Sequence, residues 1–457
     1  MSDRLYSGAS PSEITDALRP LVDFAEDGLP LQDLESLIEE RLVPHLMRYD
    51  HPGFQSMFNS FPEEGASLGA RIALSFNQGV TNFQVSPGGA VLEEMCCRAL
   101  CDLFRLPESA DATFMYSGTY ANQQALYLAL HRHARRSGFD LGKEGVGGFP
   151  DPERLAVLVA EDAHFSIAHA VRTLGLGEDC LIKLESDPQH RVAADLVESR
   201  IKALNGPRDI VCLVATTGTT ATGAIDPLPR LAQLCRGEDI WLHVDGAYGL
   251  AYSLLPEFED EFAGLELADS ITWDPHKQLG VPIPNSLLFV RDRRSFECMA
   301  VHSDYFNRAD STEPNPGLKS PPSTRPMSAL PLITSLRHQG LAGVRARLDQ
   351  PIRAIRNLAS HLEREPAVEL CHSPQTGILC FRIRTPGSGP DDLNALQEFV
   401  YERISLSGKQ SVSLARLDGR TVLRLVAVNT SATFEAMAAT VESMVDLARR
   451  FPAPDGT

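Results

Sequence analysis

Four short stretches carry residue types that belong to one chemistry. Lys277 stands in Trp273-Asp-Pro-His-Lys-Gln-Leu-Gly280, directly after an apolar run and with Asp274 and His276 just before it. A lysine in such a loop is either a snorkelling surface residue or a reactive amine, and a reactive amine forms Schiff bases with carbonyl compounds. Asp245 closes the run Ile240-Trp-Leu-His-Val-Asp245. A carboxylate ending a buried strand is costly unless something cationic meets it, and small Ala247 two positions on leaves room for a flat ring. His164 follows another apolar run by four residues and can stack on a ring or carry a proton. Last, Tyr116-Ser-Gly-Thr-Tyr-Ala-Asn122 runs into a helical pattern. There Gly118 permits close approach, Thr119 offers a hydroxyl, and the free N–H groups of a helix start bind phosphate. Each feature alone is commonplace. Together, an amine for an aldehyde, a carboxylate for a protonated ring nitrogen, a stacking imidazole and a phosphate turn describe a site for pyridoxal 5′-phosphate.

The elements that must position these groups follow from periodicity. Short apolar runs at 154–160, 181–184, 210–215, 240–244, 270–273 and 287–290 read as buried strands, with helical stretches such as 228–235 between them. That alternation predicts an α/β domain with a mostly parallel sheet, and such sheets bind ligands at the carboxyl ends of their strands. Residues 12–47 read as two amphipathic helices, the first capped by Ser12. The proline-rich stretch 306–324 reads as a long loop. Residues 330–349 and 350–363 read as helices. The remainder alternates strand 378–383, helix 394–406, strand 421–428 and helix 433–449, which predicts a small α+β C-terminal domain. The expected organisation is an N-terminal helical segment (1–82), a large cofactor-binding α/β domain (83–345) and the small domain (346–457).

The chain has 457 residues, 42 basic against 60 acidic, for a net charge of −18. That balance, with 43% hydrophobic residues, argues for a folded soluble protein and against a nucleic-acid or anionic-membrane surface. The start, Met1-Ser-Asp-Arg-Leu-Tyr6, lacks the features of a signal peptide, and no apolar run approaches the ~20 residues of a membrane span. The expected location is cytoplasmic. The nine cysteines read as reduced core residues, and Cys96, Cys97 and Cys101 as helix packing; no metal is expected.

Six segments carry a resemblance. They are Phe83-Gln-Val-Ser-Pro-Gly-Gly-Ala-Val-Leu-Glu93, Ser117-Gly-Thr-Tyr-Ala-Asn122, Asp162-Ala-His-Phe-Ser166, Ala215-Thr-Thr-Gly-Thr-Thr-Ala-Thr-Gly-Ala-Ile-Asp-Pro227, Trp241-Leu-His-Val-Asp-Gly-Ala-Tyr248 and Asp274-Pro-His-Lys277. In this order and spacing the chain resembles the group II pyridoxal-phosphate-dependent decarboxylases of fold type I, which include aromatic amino acid, glutamate, cysteine sulfinate and 2,4-diaminobutyrate decarboxylases. The similarity runs from His51-Pro-Gly-Phe54 to Leu423-Arg-Leu-Val426. It implies Lys277 as the Schiff-base lysine, Asp245 against the pyridine nitrogen, Ala247 beneath the ring and His164 above it. It also implies Gly118, Thr119 and His276 at the phosphate, Thr216 close to the ring, and a homodimer with its site at the interface. The implied reaction is decarboxylation of an L-amino acid to the amine, with His164, Asp245 and Lys277 catalytic and with His51, Phe54, Phe83 and Tyr305 toward the substrate.

Two departures matter. Relatives often have Asn-Pro-His-Lys-Trp where this chain has Asp274-Pro-His-Lys277-Gln278. Decarboxylases of this family also often carry a loop tyrosine that reprotonates the substrate carbon, and residues 306–324 contain none. His302, Tyr305 and His164 remain as donors, and without a good donor oxygen could divert the product to an aldehyde. The segment His51–Phe61 offers Phe54, Phe58 and Phe61 but no lysine or arginine, which favours an apolar or aromatic substrate; an arginine from elsewhere, such as Arg71, would reverse that. Other outcomes on the same fold are an aldehyde synthase, a carbon–carbon lyase or an aminotransferase, and a non-catalytic binding protein is the reading from another class.

Overall fold

Runs that the sequence makes apolar at nearly every position become strands buried on both faces. In the computed structural model, which describes residues 4–302, 307, 312–385 and 389–451, Pro62–Asp349 forms one compact unit. Its sheet contains β1 (Asp111–Met115), β2 (Leu155–Ala160), β3 (Leu181–Leu184), β4 (Asp209–Thr216), β5 (Trp241–Asp245), β6 (Ser270–Trp273) and β7 (Ser286–Val290). The order across it is β1-β7-β6-β5-β4-β2-β3. Strands β2 to β6 pair in parallel. Strand β7 is antiparallel to both β6 and β1, so β7 alone is reversed and the other six share one direction. The expected strands are all present within a residue or two. The additional β1 gave a weak signal because Asp111 and Thr113 interrupt its apolar run.

The carboxyl ends of the six co-directional strands gather the chemistry. Met115 precedes the Tyr116–Thr119 turn, Ala160 precedes His164, β4 ends on Thr216, β5 ends on Asp245 and β6 leads into Asp274–Lys277. Helix Gly118–Arg136 packs on one face, and its Ala121, Ala125, Leu128 and Ala129 enter a core with Val157, Val214 and Trp241. Cys97 and Cys101 lie buried on helix Pro87–Leu103.

The proline-rich loop is tied down over its described part. Phe83 N–H donates to the Pro314 carbonyl at 2.9 Å and Gly317 N–H to the Thr81 carbonyl at 2.8 Å. Lys319 Nζ lies 2.7 Å from Asp111 and 2.5 Å from Glu94, and Arg325 forms a fully buried ion pair with Glu93.

The second compact unit combines Met1–Phe61 with Gln350–Thr457. Its antiparallel sheet holds β8 (Val368–Leu370), β9 (Ile378–Ile383), β10 (Ser413–Leu417) and β11 (Arg420–Val426) in the order β10-β11-β9-β8. Helices Pro390–Leu406 and Phe434–Ala448 cover it through Leu396, Val400, Met437 and Met444. Two details differ from expectation. The first helix, Pro11–Leu18, is capped by Ser10 and not by Ser12: Ser10 Oγ accepts from Glu13 N–H while the Glu13 carboxylate accepts from Ser10 N–H at 2.7 Å, a reciprocal box. The helical run Ala329–Leu362 breaks at Gly340 and not near residue 350, because Gly340 takes a left-handed φ of 62° that other residues resist.

Candidate active site

Lys277 sits on the single turn Pro275–Gln278 that follows β6. Its Nζ lies 3.1 Å from Asp274 Oδ2, and Asp274 is only 4% exposed. Asp274 Oδ2 in turn faces Gly118, where an added Cβ would come within 2.8 Å of that oxygen. Gly118 is therefore required by close approach, and its φ is ordinary. Ser117 caps helix Gly118–Arg136 by accepting from Tyr120 N–H at 3.3 Å. The N–H groups of Gly118 and Thr119 fall in the first turn, where no acceptor exists within the helix.

Asp245 is buried and accepts hydrogen bonds from uncharged donors, Asn122 Nδ2 at 2.8 Å and Ala247 N–H at 3.2 Å. Thr216 is its register partner on β4, and Thr217 N–H donates to the Asp245 carbonyl at 3.0 Å. Thr216 N–H itself donates to Asp226 Oδ2 at 2.7 Å.

His164 Nδ1 accepts from Ser166 N–H at 3.2 Å, which leaves the proton of the neutral ring on Nε2. Burial lowers the His164 pKa, while the Asp245 carboxylate opposes and the Lys277 ammonium reinforces that shift. His276 is likewise lowered by burial, and its Nδ1–H donates to the Asn285 carbonyl at 2.7 Å.

The structure thus brings Gly118, Thr119, His164, Thr216, Asp245, Ala247, His276 and Lys277 together at one end of one sheet. Phe83 is half-buried in the same unit. His51 and Phe54 belong to the other unit. There His51 Nδ1 accepts from Gly53 N–H at 3.0 Å, and Phe54 is 4% exposed and packed on Tyr49. Tyr305 lies outside the described residues. Arg424 of β11 donates to the Ser56 carbonyl at 3.1 Å and lies over the Phe58 ring at 5.6 Å, so the arginine-free stretch 51–61 has a guanidinium against it after all. Asn122 and Asp274 are site residues that sequence reasoning left without a role. Asn122 falls one helical turn after Gly118, which was the available signal.

A groove of about 840 Å³ opens beside the phosphate turn. Tyr116 and Tyr120 line it together with Leu174, Met299, Val301 and Pro321; Lys277 and Asp245 do not.

The donor set fits a pyridoxal phosphate. A buried carboxylate bonded by the neutral donors of Asn122 and Ala247 suits a protonated ring nitrogen. A helix start whose first N–H groups have no acceptor within the helix suits a phosphate, and Asp274 Oδ1, a buried oxygen with no hydrogen-bond partner among the described residues, could accept from a donor on the bound group. Fold and site together define a fold type I pyridoxal-phosphate enzyme. Residues 16–384 match the family model described as pyridoxal-dependent decarboxylase conserved domain, and the chain belongs to that family. It is 30% identical over 450 residues to an L-2,4-diaminobutyrate decarboxylase of Rhizobium meliloti (strain 1021), covering 97% of this chain and 88% of that one. It is 26% identical over 419 residues to an aromatic-L-amino-acid decarboxylase of Bacillus atrophaeus, covering 90% and 84%. In fold it superposes on the crystal structure of mouse CSAD in apo form with a TM-score of 0.89 at 23% identity, covering 98% and 94%. A rice (Oryza sativa) TDC structure with PLP and tryptamine gives 0.89 at 21% identity, covering 98% and 93%. The protein is a pyridoxal-phosphate-dependent amino acid decarboxylase.

Proposed function

We propose that the chain removes the α-carboxylate of an L-amino acid with an apolar or aromatic side chain, through the residues gathered around Lys277. When bound, the cofactor supplies an electron sink for the pair left behind as CO2 departs. Lys277 would hold the cofactor aldehyde. Asp245 would keep a proton on the ring nitrogen, so that the ring end of the site stays electron-poor. Gly118 and Thr119 would bind the phosphate with their first-turn N–H groups, with His276 beside them. Ala247 and His164 would confine the ring between them. The proton that replaces CO2 would come from His164 Nε2, the ring nitrogen left bearing the hydrogen by the Ser166 contact. The observation that carries this reading is the pairing of Lys277 with buried Asp274 and of buried Asp245 with buried Asn122 at the carboxyl ends of β5 and β6.

Substitution Lys277→Ala should abolish the visible absorbance of the cofactor-loaded protein and the peptide label left by borohydride reduction. An unchanged spectrum in that variant would end the assignment.

The absence of lysine and arginine from stretch 51–61 supports an uncharged substrate, with Met57 and Phe61 exposed there. A charged substrate is the second reading, favoured by Arg424 against Phe58 and by the diaminobutyrate relative. A screen for CO2 release from phenylalanine, tyrosine, tryptophan, leucine, glutamate, cysteine sulfinate and 2,4-diaminobutyrate separates them. Product analysis in the same screen, amine against aldehyde with oxygen uptake, tests the proton donor.

We further propose a homodimer in which a second copy covers the groove lined by Tyr116 and Tyr120, and a cytoplasmic location. The latter is supported by nine cysteines that form no disulfide among the described residues, the kind of usage that belongs to a reducing compartment. No helix among the described residues is long and apolar enough to cross a membrane.

A further inference from the structure

Behind the Asp245–Asn122 contact lies a run of buried polar side chains, of which the chemistry above uses Asn122 alone. Asn122, Ser166, His243, Ser270 and Thr272 are each at most 1% exposed, and Trp241 is 3% exposed. Asn122 Nδ2 lies 2.8 Å from Asp245 Oδ2 and 2.9 Å from Ser166 Oγ. Asn122 Oδ1 lies 2.7 Å from Thr272 Oγ1 and 2.9 Å from His243 Nε2. His243 Nδ1 lies 2.9 Å from Ser270 Oγ, which also receives Trp241 Nε1–H at 2.8 Å.

The directions of these bonds follow from which groups can only accept. An ionised Asp245 carboxylate cannot donate, so the Asn122 amide must turn its NH2 toward it and its carbonyl toward His243. A carbonyl cannot donate either, so His243 must carry hydrogen on Nε2. Ser270 Oγ already accepts from the indole, which leaves its own hydrogen for His243 Nδ1. The imidazole is then neutral with both nitrogens engaged, and burial pushes its pKa down to about 4. Every donor points the same way, from Trp241 through Ser270, His243 and Asn122 to Asp245. Bonds ordered in one direction polarise one another inside a low-dielectric core. The charged groups around this run are Asp245 on the same strand, and Arg132 stacked on Trp241 at 4.8 Å and paired with Asp269 at 3.1 Å.

We propose that His243 is a positioning residue for Asp245: as a fixed Nε2–H donor it locks the Asn122 amide, which holds the carboxylate in the orientation that receives the cofactor ring nitrogen. The proposal rests on the reading of Asp245 as the partner of that nitrogen, and two measurements keep the two apart. The first needs no cofactor chemistry. In protein labelled with 15N-histidine, with His243 identified by its loss in His243→Gln, the ring should show hydrogen on Nε2 only, unchanged between about pH 6 and 9. An Nδ1–H form, or titration within that window, overturns the relay even if the cofactor binds as expected.

The second measurement is the Kd of pyridoxal 5′-phosphate for the full-length apoprotein. His243→Leu, which removes both bonds, should weaken binding about tenfold or more. His243→Gln, which keeps an N–H toward Asn122, should stay within about threefold of the unsubstituted protein. Equal affinity in all three proteins overturns the positioning role, and so does equal weakening in both variants. Failure of the unsubstituted protein to bind the cofactor overturns the reading of Asp245 itself, and with it the role assigned to His243. Should the leucine variant not fold, the labelled-histidine measurement on the unsubstituted protein still decides the relay.

Discussion

At the scale of single residues, the site depends on contacts that leave no spare volume. Lys277, Asp245 and His164 were legible in the sequence because each follows an apolar run, and a polar group at the end of a buried strand needs a reason to be there; Gly118 was legible from the turn that runs into a helical pattern. Asn122 and Asp274 were not legible, since what they do depends on groups delivered by other elements: Asp245 from β5 for the first, Gly118 and Lys277 for the second. The Gly118 contact makes a sharp prediction. A methyl group there would lie 2.8 Å from Asp274 Oδ2, and Asp274 is a short buried side chain already tied to Lys277. Gly118→Ala should therefore displace Asp274 or the helix start, and weaken pyridoxal 5′-phosphate binding by about tenfold or more. Melting of the apoprotein should change little, because helix Gly118–Arg136 gains by alanine what the contact loses. Cofactor titration of the variant checks this, and an unchanged Kd would show that the approach can relax without consequence.

At the scale of elements, six of the seven strands of the large sheet were readable to within a residue or two, because most of their runs are apolar almost throughout. What could not be read was direction. Nothing in Ser286-Leu-Leu-Phe-Val290 distinguishes the reversed β7 from its parallel neighbours. The cap at Ser10 was readable in principle, from Pro11 and Glu13 after it, but Ser12 carried the same residue type two positions on. A prediction at this scale concerns Asp226, which ties β4 to the segment before helix Ala194–Leu204. Its two carboxylate oxygens accept from Thr216 and Val192 N–H groups, each at 2.7 Å. Burial nevertheless raises its pKa from 3.8 to about 6. The folded chain therefore holds this proton to higher pH than the unfolded chain does. The stabilisation is complete below about pH 4 and is lost as pH rises through about 6, roughly 3 kcal/mol in all. Asp226→Asn does not titrate, so the stability of the unsubstituted protein relative to this variant should fall across that window. Urea unfolding of both proteins at several pH values between about 4 and 7 measures it; parallel profiles would refute the assignment.

At the scale of the whole molecule, the groove beside the phosphate turn and the charge of −18 pull in opposite directions. Tyr120 and Val301 are 57% and 78% exposed on that groove, a large apolar surface for a chain left alone in water. A second copy would cover it, but two chains of −18 repel each other, and that repulsion is screened by salt within about 8–10 Å at ordinary ionic strength. The dimer should thus tighten as salt rises from low values, the reverse of an association driven by opposite charges. Light scattering after size exclusion should give a mass near twice 49.9 kDa. Val301→Asp, which sets a carboxylate into the covered apolar surface, should shift the protein toward the monomer. If the second copy also closes the cofactor site, the variant should lose pyridoxal 5′-phosphate affinity in step with dimer dissociation, and recover it at higher protein concentration. A stable dimer of Val301→Asp with normal cofactor affinity would place the second copy elsewhere on the chain and leave this groove to another occupant.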